Sequence, residues 1–170
     1  MDLKSKIRNI KDFPKDGIDF KDITTILKDK EAFNYCIKEL AKLANEKEFD
    51  IVVGPEARGF LVGAPLAYAT NAGFVPIRKP GKLPAETIDY EYELEYGTDT
   101  LEMHKDSIKA GDKVIIVDDL LATGGTVEST VKMIESLGGE VVGIYFLIEL
   151  EFLNGRERLN GYNVKSLVKY

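Results

Sequence analysis

Apolar and polar positions change rhythm several times along this chain, and each rhythm predicts an element. From about Lys30 to Lys47 the residues Phe33, Cys36, Ile37, Leu40, Leu43 and Ala44 recur at helical spacing, which predicts an amphipathic helix with Asp29 as N-cap. The apolar run Ile51-Val52-Val53, ending on Gly54, predicts a buried strand. Gly59 to Asn71, rich in small residues, reads as a helix, and Phe74 to Arg78 as a second strand. Lys113 to Val117 predicts another strand, Thr126 to Leu137 an amphipathic helix stopped by Gly138-Gly139, and Glu140 to Glu149 a further strand. This alternation predicts an α/β fold with a central, mostly parallel sheet flanked by helices.

One segment keeps a different beat. Ile88, Tyr90, Tyr92, Leu94 and Tyr96 alternate strictly with Asp89, Glu91, Glu93 and Glu95. Period two with one wet face predicts an antiparallel strand. Thr98 to Met103 is expected to pair back on it after Gly97, giving a hairpin that projects from the sheet as a flap.

Composition narrows the function. A chain of 170 residues with 44% apolar residues suits one ordinary domain with a real core and excludes disorder. Lys plus Arg is 23 against 29 for Asp plus Glu, a net charge of -6 that argues against nucleic acid or an anionic membrane as partner. A small anion remains compatible with a few concentrated basic groups. The single cysteine excludes an intrachain disulfide and the single histidine a His-rich metal site. Cys36, on the buried helical stripe, reads as a small core hydrophobe, and His104, among charged residues, is given no role. Met1-Asp2-Leu3-Lys4 lacks the apolar core of a signal peptide, and no apolar run is long enough to span a bilayer, so the expectation is a soluble cytoplasmic protein.

The chemistry concentrates in Val114-Ile115-Ile116-Val117-Asp118-Asp119-Leu120-Leu121-Ala122-Thr123-Gly124-Gly125-Thr126. A buried strand delivers two carboxylates to its C-terminal end, a loop of small residues follows, and a helix begins. Ligands of open α/β sheets bind beyond the carboxyl ends of strands. Small residues let backbone N–H groups approach a phosphate, and a helix N-terminus adds free donors and positive potential. Thr123 and Thr126 add hydroxyls. Asp118 and Asp119 repel a phosphate but suit ribose hydroxyls or a metal bridging that sugar. The pattern therefore predicts a sugar phosphate; the competing reading is a plain tight turn with Asp as helix cap. It is neither a Walker loop nor a GxGxxG dinucleotide turn.

These thirteen residues resemble the phosphoribosyl-pyrophosphate motif of the type I phosphoribosyltransferases, and their form is similar to that of the adenine-using branch. The similarity extends to Phe13-Pro14, Gly17-Ile18-Asp19-Phe20-Lys21-Asp22-Ile23, Glu56-Ala57-Arg58-Gly59-Phe60, Arg78-Lys79-Pro80-Gly81-Lys82-Leu83-Pro84, Leu94-Glu95-Tyr96-Gly97 and Gly155-Arg156-Glu157. The resemblance implies a single domain over residues 1–170 with a small N-terminal hood over about 1–28 and the flap over about 86–104. It implies that Ala122, Thr123, Gly124, Gly125 and Thr126 wrap the 5-phosphate, that Asp118 and Asp119 hold the ribose hydroxyls, and that Arg58, Lys79 and Lys82 bind pyrophosphate. Arg78 is expected to join them or reach across a homodimer interface. A non-proline cis peptide is expected at Glu56-Ala57. Mg2+ is expected to arrive with the substrate, with no direct protein ligand.

The implied reaction displaces pyrophosphate from the anomeric carbon by a nitrogen of adenine, giving AMP. Ala122 stands where branches that use hypoxanthine or guanine carry an acid, so the resemblance moves the proton-handling role to Glu95. Adenine is expected against the main chains of Asp19 and Lys21, between Phe20 and Leu120. A xanthine-specific relative is the rival reading. A catalytically silent sensor of phosphoribosyl pyrophosphate is a remoter one, disfavoured by the presence of Glu95 and the lack of a basic face.

Overall fold

The computed structural model describes residues 1–93 and 98–170, so the segment from Leu94 to Gly97, with the expected Glu95, lies outside the described residues. At the N-terminus β1 (Arg8–Ile10) and β2 (Phe20–Asp22) pair antiparallel, and the single-turn helix α1 (Thr24–Leu27) follows. The Asp29 carboxylate accepts from the main-chain N–H groups of Glu31 and Ala32 and caps α2 (Lys30–Ala44), so the expected N-cap is in place. This helix ends at Ala44 rather than Lys47, because Asn45 to Lys47 carry no buried apolar side chain to hold another turn. There follow β3 (Ile51–Pro55), α3 (Arg58–Thr70), β4 (Gly73–Ile77), β5 (Thr87–Glu93), β6 (Thr98–His104), β7 (Lys113–Leu121), α4 (Gly125–Ser136), β8 (Glu140–Glu149) and β9 (Val164–Lys169).

Five strands form one sheet in the order β4-β3-β7-β8-β9, every neighbouring pair parallel. Along β7, Ile115 and Val117 join one apolar cluster with α2 and α3, while Val114 and Ile116 join the other with α4. Successive side chains point to opposite faces, and both faces are covered, so the strand reads as an unbroken apolar run. The expected boundary at Val117 is corrected. β7 continues to Leu121, because Leu120 and Leu121 still pair with Ile148 and Glu149 of β8.

β5 and β6 form the antiparallel hairpin, with Thr87 opposite His104 and Glu93 opposite Thr98. The hairpin does not stand free over its described length. Leu101 and Met103 are buried, and Ile88, Tyr90 and Tyr92 pack on the same cluster as α4. Asp89 and Glu91 face solvent, as the alternation predicts. A two-residue bridge, Arg78 to Glu102, fastens the hairpin to the strand end after β4. No described helix is long and apolar enough to cross a membrane.

Candidate active site

The chain enters the sheet at β3, moves outward to β4, then returns past β3 to β7 and runs to the opposite edge. The carboxyl ends of β3 and β7 therefore flank the point where the strand order reverses, where open α/β sheets leave a crevice. Asp118 and Asp119 of β7 and Arg58, just after β3, meet at these two strand ends.

Ala122 to Thr126 make the turn from β7 into α4. Gly124 has φ +85°, a left-handed conformation that favours glycine, and it sits at the N-cap of α4. A Cβ there would lie 2.5 Å from the Gly155 carbonyl oxygen, so the loop also needs glycine for close backbone approach. Asp118 and the residues from Leu120 to Val127 enclose a hollow of about 90 Å³, the size of a small anion rather than a large organic group. The first turn of α4 directs N–H groups without helical partners toward its N-terminal side. Its Thr126 is partly buried and Thr123 is exposed.

Asp118 and Asp119 lie inside β7 rather than beyond its end. Asp118 accepts from the Asp119 main-chain N–H at 2.8 Å. Asp119 is buried and forms an ion pair with the Arg58 guanidinium. Burial, and then the neighbouring charge of Asp119, raise the Asp118 carboxyl well above its ordinary range. Burial also raises Asp119, against the opposing pull of Arg58. Arg58 opens α3, and its guanidinium carbon stands 4.9 Å from the centre of the Phe20 ring, which Phe13 meets edge-on at 5.2 Å. Arg58 thus joins the β2 aromatic, 38 positions before it, to Asp119 of β7, 61 positions after it.

The basic loop after β4 gathers on Glu56, just past the end of β3. Lys82 Nζ donates to Glu56 at 2.8 Å, the Lys79 main-chain N–H donates to Glu56 at 2.6 Å, and Arg78 Nε lies 3.4 Å from the same carboxylate. Lys79 Nζ forms an ion pair with Asp99 of β6. Burial works against the ionised Glu56, but Lys82 and the Lys79 N–H hold it below its ordinary range. The expected cis peptide is present at Glu56-Ala57.

Two of the expected residues, Asp19 and Lys21, turn their side chains away. Asp19 is exposed, and the Lys21 side chain turns away to Asn9 Oδ1 at 2.7 Å and over the Tyr170 ring at 4.3 Å, leaving only its main chain for the expected role. Leu120 lines the hollow and packs against the α2–α3 cluster. Glu95 lies outside the described residues. Glu56, Asp99 and Tyr92 were not foreseen. The signal for Glu56 was a carboxylate at a strand end close to a basic loop; Asp99 and Tyr92 are visible only once the hairpin register places them opposite each other.

The chain matches the model of the phosphoribosyl transferase domain over residues 23–167. It is 70% identical over 170 residues to the adenine phosphoribosyltransferase of Alkaliphilus metalliredigens, covering 100% of both chains. The crystal structure of adenine phosphoribosyltransferase from Thermoanaerobacter pseudethanolicus superposes with a TM-score of 0.97 at 62% identity, covering 99% of this chain and 98% of that one. The Saccharomyces cerevisiae enzyme of the same name, in complex with adenine and an imino-altritol bisphosphate, superposes with a TM-score of 0.91 at 41% identity, covering 96% of this chain and 95% of that one.

Proposed function

Because the chain belongs to the phosphoribosyl transferase family, with the type I fold, we propose that it is a purine salvage enzyme that transfers the 5-phosphoribosyl group from phosphoribosyl pyrophosphate to adenine. The observation that carries this reading is the turn from β7 to α4, which sets a phosphate-sized hollow beside two acids and across a crevice from four basic side chains. The full-length relatives, one of them in complex with adenine, point the same way.

The residues then divide the substrate among them. N–H groups and hydroxyls of Ala122 to Thr126 take the 5-phosphate, with the dipole of α4 behind them. Asp118 and Asp119 receive the ribose hydroxyls. Arg58, Lys79 and Lys82 take the pyrophosphate, Arg58 as a planar fork suited to paired oxygens, and Arg78 supports them through Glu56. Adenine lies against Phe20 and Leu120, with the main chains of Asp19 and Lys21 meeting its amino group and ring nitrogen. The purine nitrogen bonds to the anomeric carbon as the carbon–oxygen bond to pyrophosphate breaks, and the nitrogen gives up its proton. Positioning and charge stabilisation do most of this work, while Glu95 serves the proton. Replacing Glu95 by Gln is expected to cut turnover at least tenfold with adenine binding kept.

Mg2+ fits the donor set as a companion of the substrate. Asp118 and Asp119 would hold the ribose oxygens beside it, and its own ligands would come from substrate oxygens, with no direct protein ligand. When bound it would neutralise charge on the departing pyrophosphate. Residues 1–28 serve as the hood and 86–104 as the flap of a single domain. A homodimer is supported by the exposed apolar face of α3, and a reducing cytoplasm by a lone, buried, unpaired Cys36. A panel of adenine, hypoxanthine, guanine and xanthine with phosphoribosyl pyrophosphate tests the reading. Adenine turnover at least a hundredfold above the others is expected, and preference for xanthine would overturn it.

A further inference from the structure

Two hairpin residues outside the substrate assignments connect its two anion subsites. Tyr92 of β5 stands directly opposite Asp99 of β6. The Tyr92 hydroxyl donates to Asp99 Oδ2 at 3.2 Å and lies 3.3 Å from Thr126 Oγ1. Asp99 also accepts from the Thr100 main-chain N–H at 2.9 Å and forms the ion pair with Lys79. The Tyr92 ring is fixed against the phosphate loop, close enough that a Cβ on Gly125 would sit 3.4 Å from it.

Proton bookkeeping sets the direction of this chain. A phenol carries one proton, and an ionised carboxylate only accepts. With the Tyr92 proton on Asp99, Thr126 must donate to Tyr92, and its own single proton is then committed. The relay therefore runs from Thr126 to Tyr92 to Asp99, and Lys79 closes it from the other side. Resting on the substrate reading above, we propose that Tyr92 and Asp99 are positioning residues that act as an internal stand-in for substrate, holding the 5-phosphate group Thr126 and the pyrophosphate group Lys79 in one relay until both ends of one phosphoribosyl pyrophosphate displace it.

The consequence is coupling between the two ends. A phosphate that draws the Thr126 proton removes a donor from Tyr92, and the Asp99 side of the network loses support. A pyrophosphate that draws Lys79 away frees Asp99 and loosens the hold on Thr126. Linked hydrogen bonds polarise one another, so breaking one end makes the other easier to break. A substrate carrying both anions is thereby favoured over either fragment alone.

Calorimetric binding of inorganic pyrophosphate and of ribose 5-phosphate, separately and together, tests this on the whole protein. Asp99→Asn, which keeps the shape and removes the charge, is expected to bind pyrophosphate about fivefold more tightly than wild type. Saturation with ribose 5-phosphate is expected to help pyrophosphate binding about threefold more in wild type than in Tyr92→Phe, which keeps the ring and loses only the hydroxyl; coupling of this kind is reciprocal. Asp99→Asn binding that is equal to or weaker than wild type, or coupling that is the same in wild type and Tyr92→Phe, would overturn the proposal. Thermal melting checks that each variant is folded, and if Asp99→Asn is not, the coupling in Tyr92→Phe decides. A wild-type protein that binds neither fragment overturns the substrate reading itself, so the two failures are distinct.

Discussion

Asp22 and Asp118 show how differently two carboxylates of one chain are treated. Asp22 accepts from the main-chain N–H and the hydroxyl of Thr24, each at 2.9 Å, and from Arg8, and these hold its carboxyl down to about 2. Its ordinary value is 3.8, so its contribution to stability is present above that pH and is lost as pH falls through about 2. Asp22→Asn should lower unfolding stability by about 1–2 kcal/mol at neutral pH. The gap in urea midpoints should close as pH is lowered toward 2. For Asp118 the sign reverses. Its raised value favours folding below pH 3.8 and works against the folded state as pH rises through that raised value. Asp118→Asn should therefore be the more stable protein at neutral pH and the poorer enzyme, a combination expected where a strained group serves a substrate. Denaturant midpoints and KM for phosphoribosyl pyrophosphate, measured on the same preparation, check both halves. The sequence made Asp118 and Asp119 legible as a pair because they follow an unbroken apolar run. It could not show that Arg58 would neutralise Asp119, since that contact spans 61 positions.

At the scale of elements, the phosphate loop depends on a support that local patterns do not reveal. Glu149, at the end of β8, receives Arg156 Nε at 2.8 Å and a second guanidinium nitrogen at 2.6 Å, with Ser166 of β9 on the same carboxylate. Arg156 also donates to the Val164 carbonyl at 2.7 Å. This anchors the short 3-10 turn Gly155–Leu159, and Gly155 lies so close to the Ala122 carbonyl that any side chain would collide with it. Gly155→Ala should push the loop from its place, raising KM for phosphoribosyl pyrophosphate about tenfold and lowering Tm by several degrees, while KM for adenine stays within twofold. Steady-state kinetics and a melting curve read these directly. The loop itself was legible from Ala122-Thr123-Gly124-Gly125-Thr126. Its backing was not, because a turn carries no periodicity and β9 is a partly buried edge strand whose mixed residues give neither a run nor a clean alternation.

For the whole molecule, the parallel sheet was readable because its central strands are buried on both faces, α2 and α4 because each has an apolar stripe, and α3 because its run is rich in small residues. The net charge of -6 described the surface rather than the site. Around the crevice Arg58, Arg78, Lys79 and Lys82 each meet a carboxylate, so local cations are concentrated without changing the overall balance. One outer face stands out. Leu61 is 43% exposed and Tyr68 is 91% exposed on the same side of α3 as exposed Ala64, an apolar stripe that a second copy would cover. Light scattering should give twice the chain mass for wild type and a shift toward the monomer for Tyr68→Glu.

The most direct test of the account is the kinetics of Thr126→Val, which keeps the shape of a β-branched side chain and removes one hydroxyl from the phosphate subsite. Loss of a hydrogen bond to a charged group is worth about 1.5–3 kcal/mol, or on the order of tenfold to a hundredfold. KM for phosphoribosyl pyrophosphate should rise by that factor in AMP synthesis from adenine, with KM for adenine unchanged. An unchanged KM for phosphoribosyl pyrophosphate in a folded Thr126→Val protein would contradict the placement of the 5-phosphate at the turn between β7 and α4.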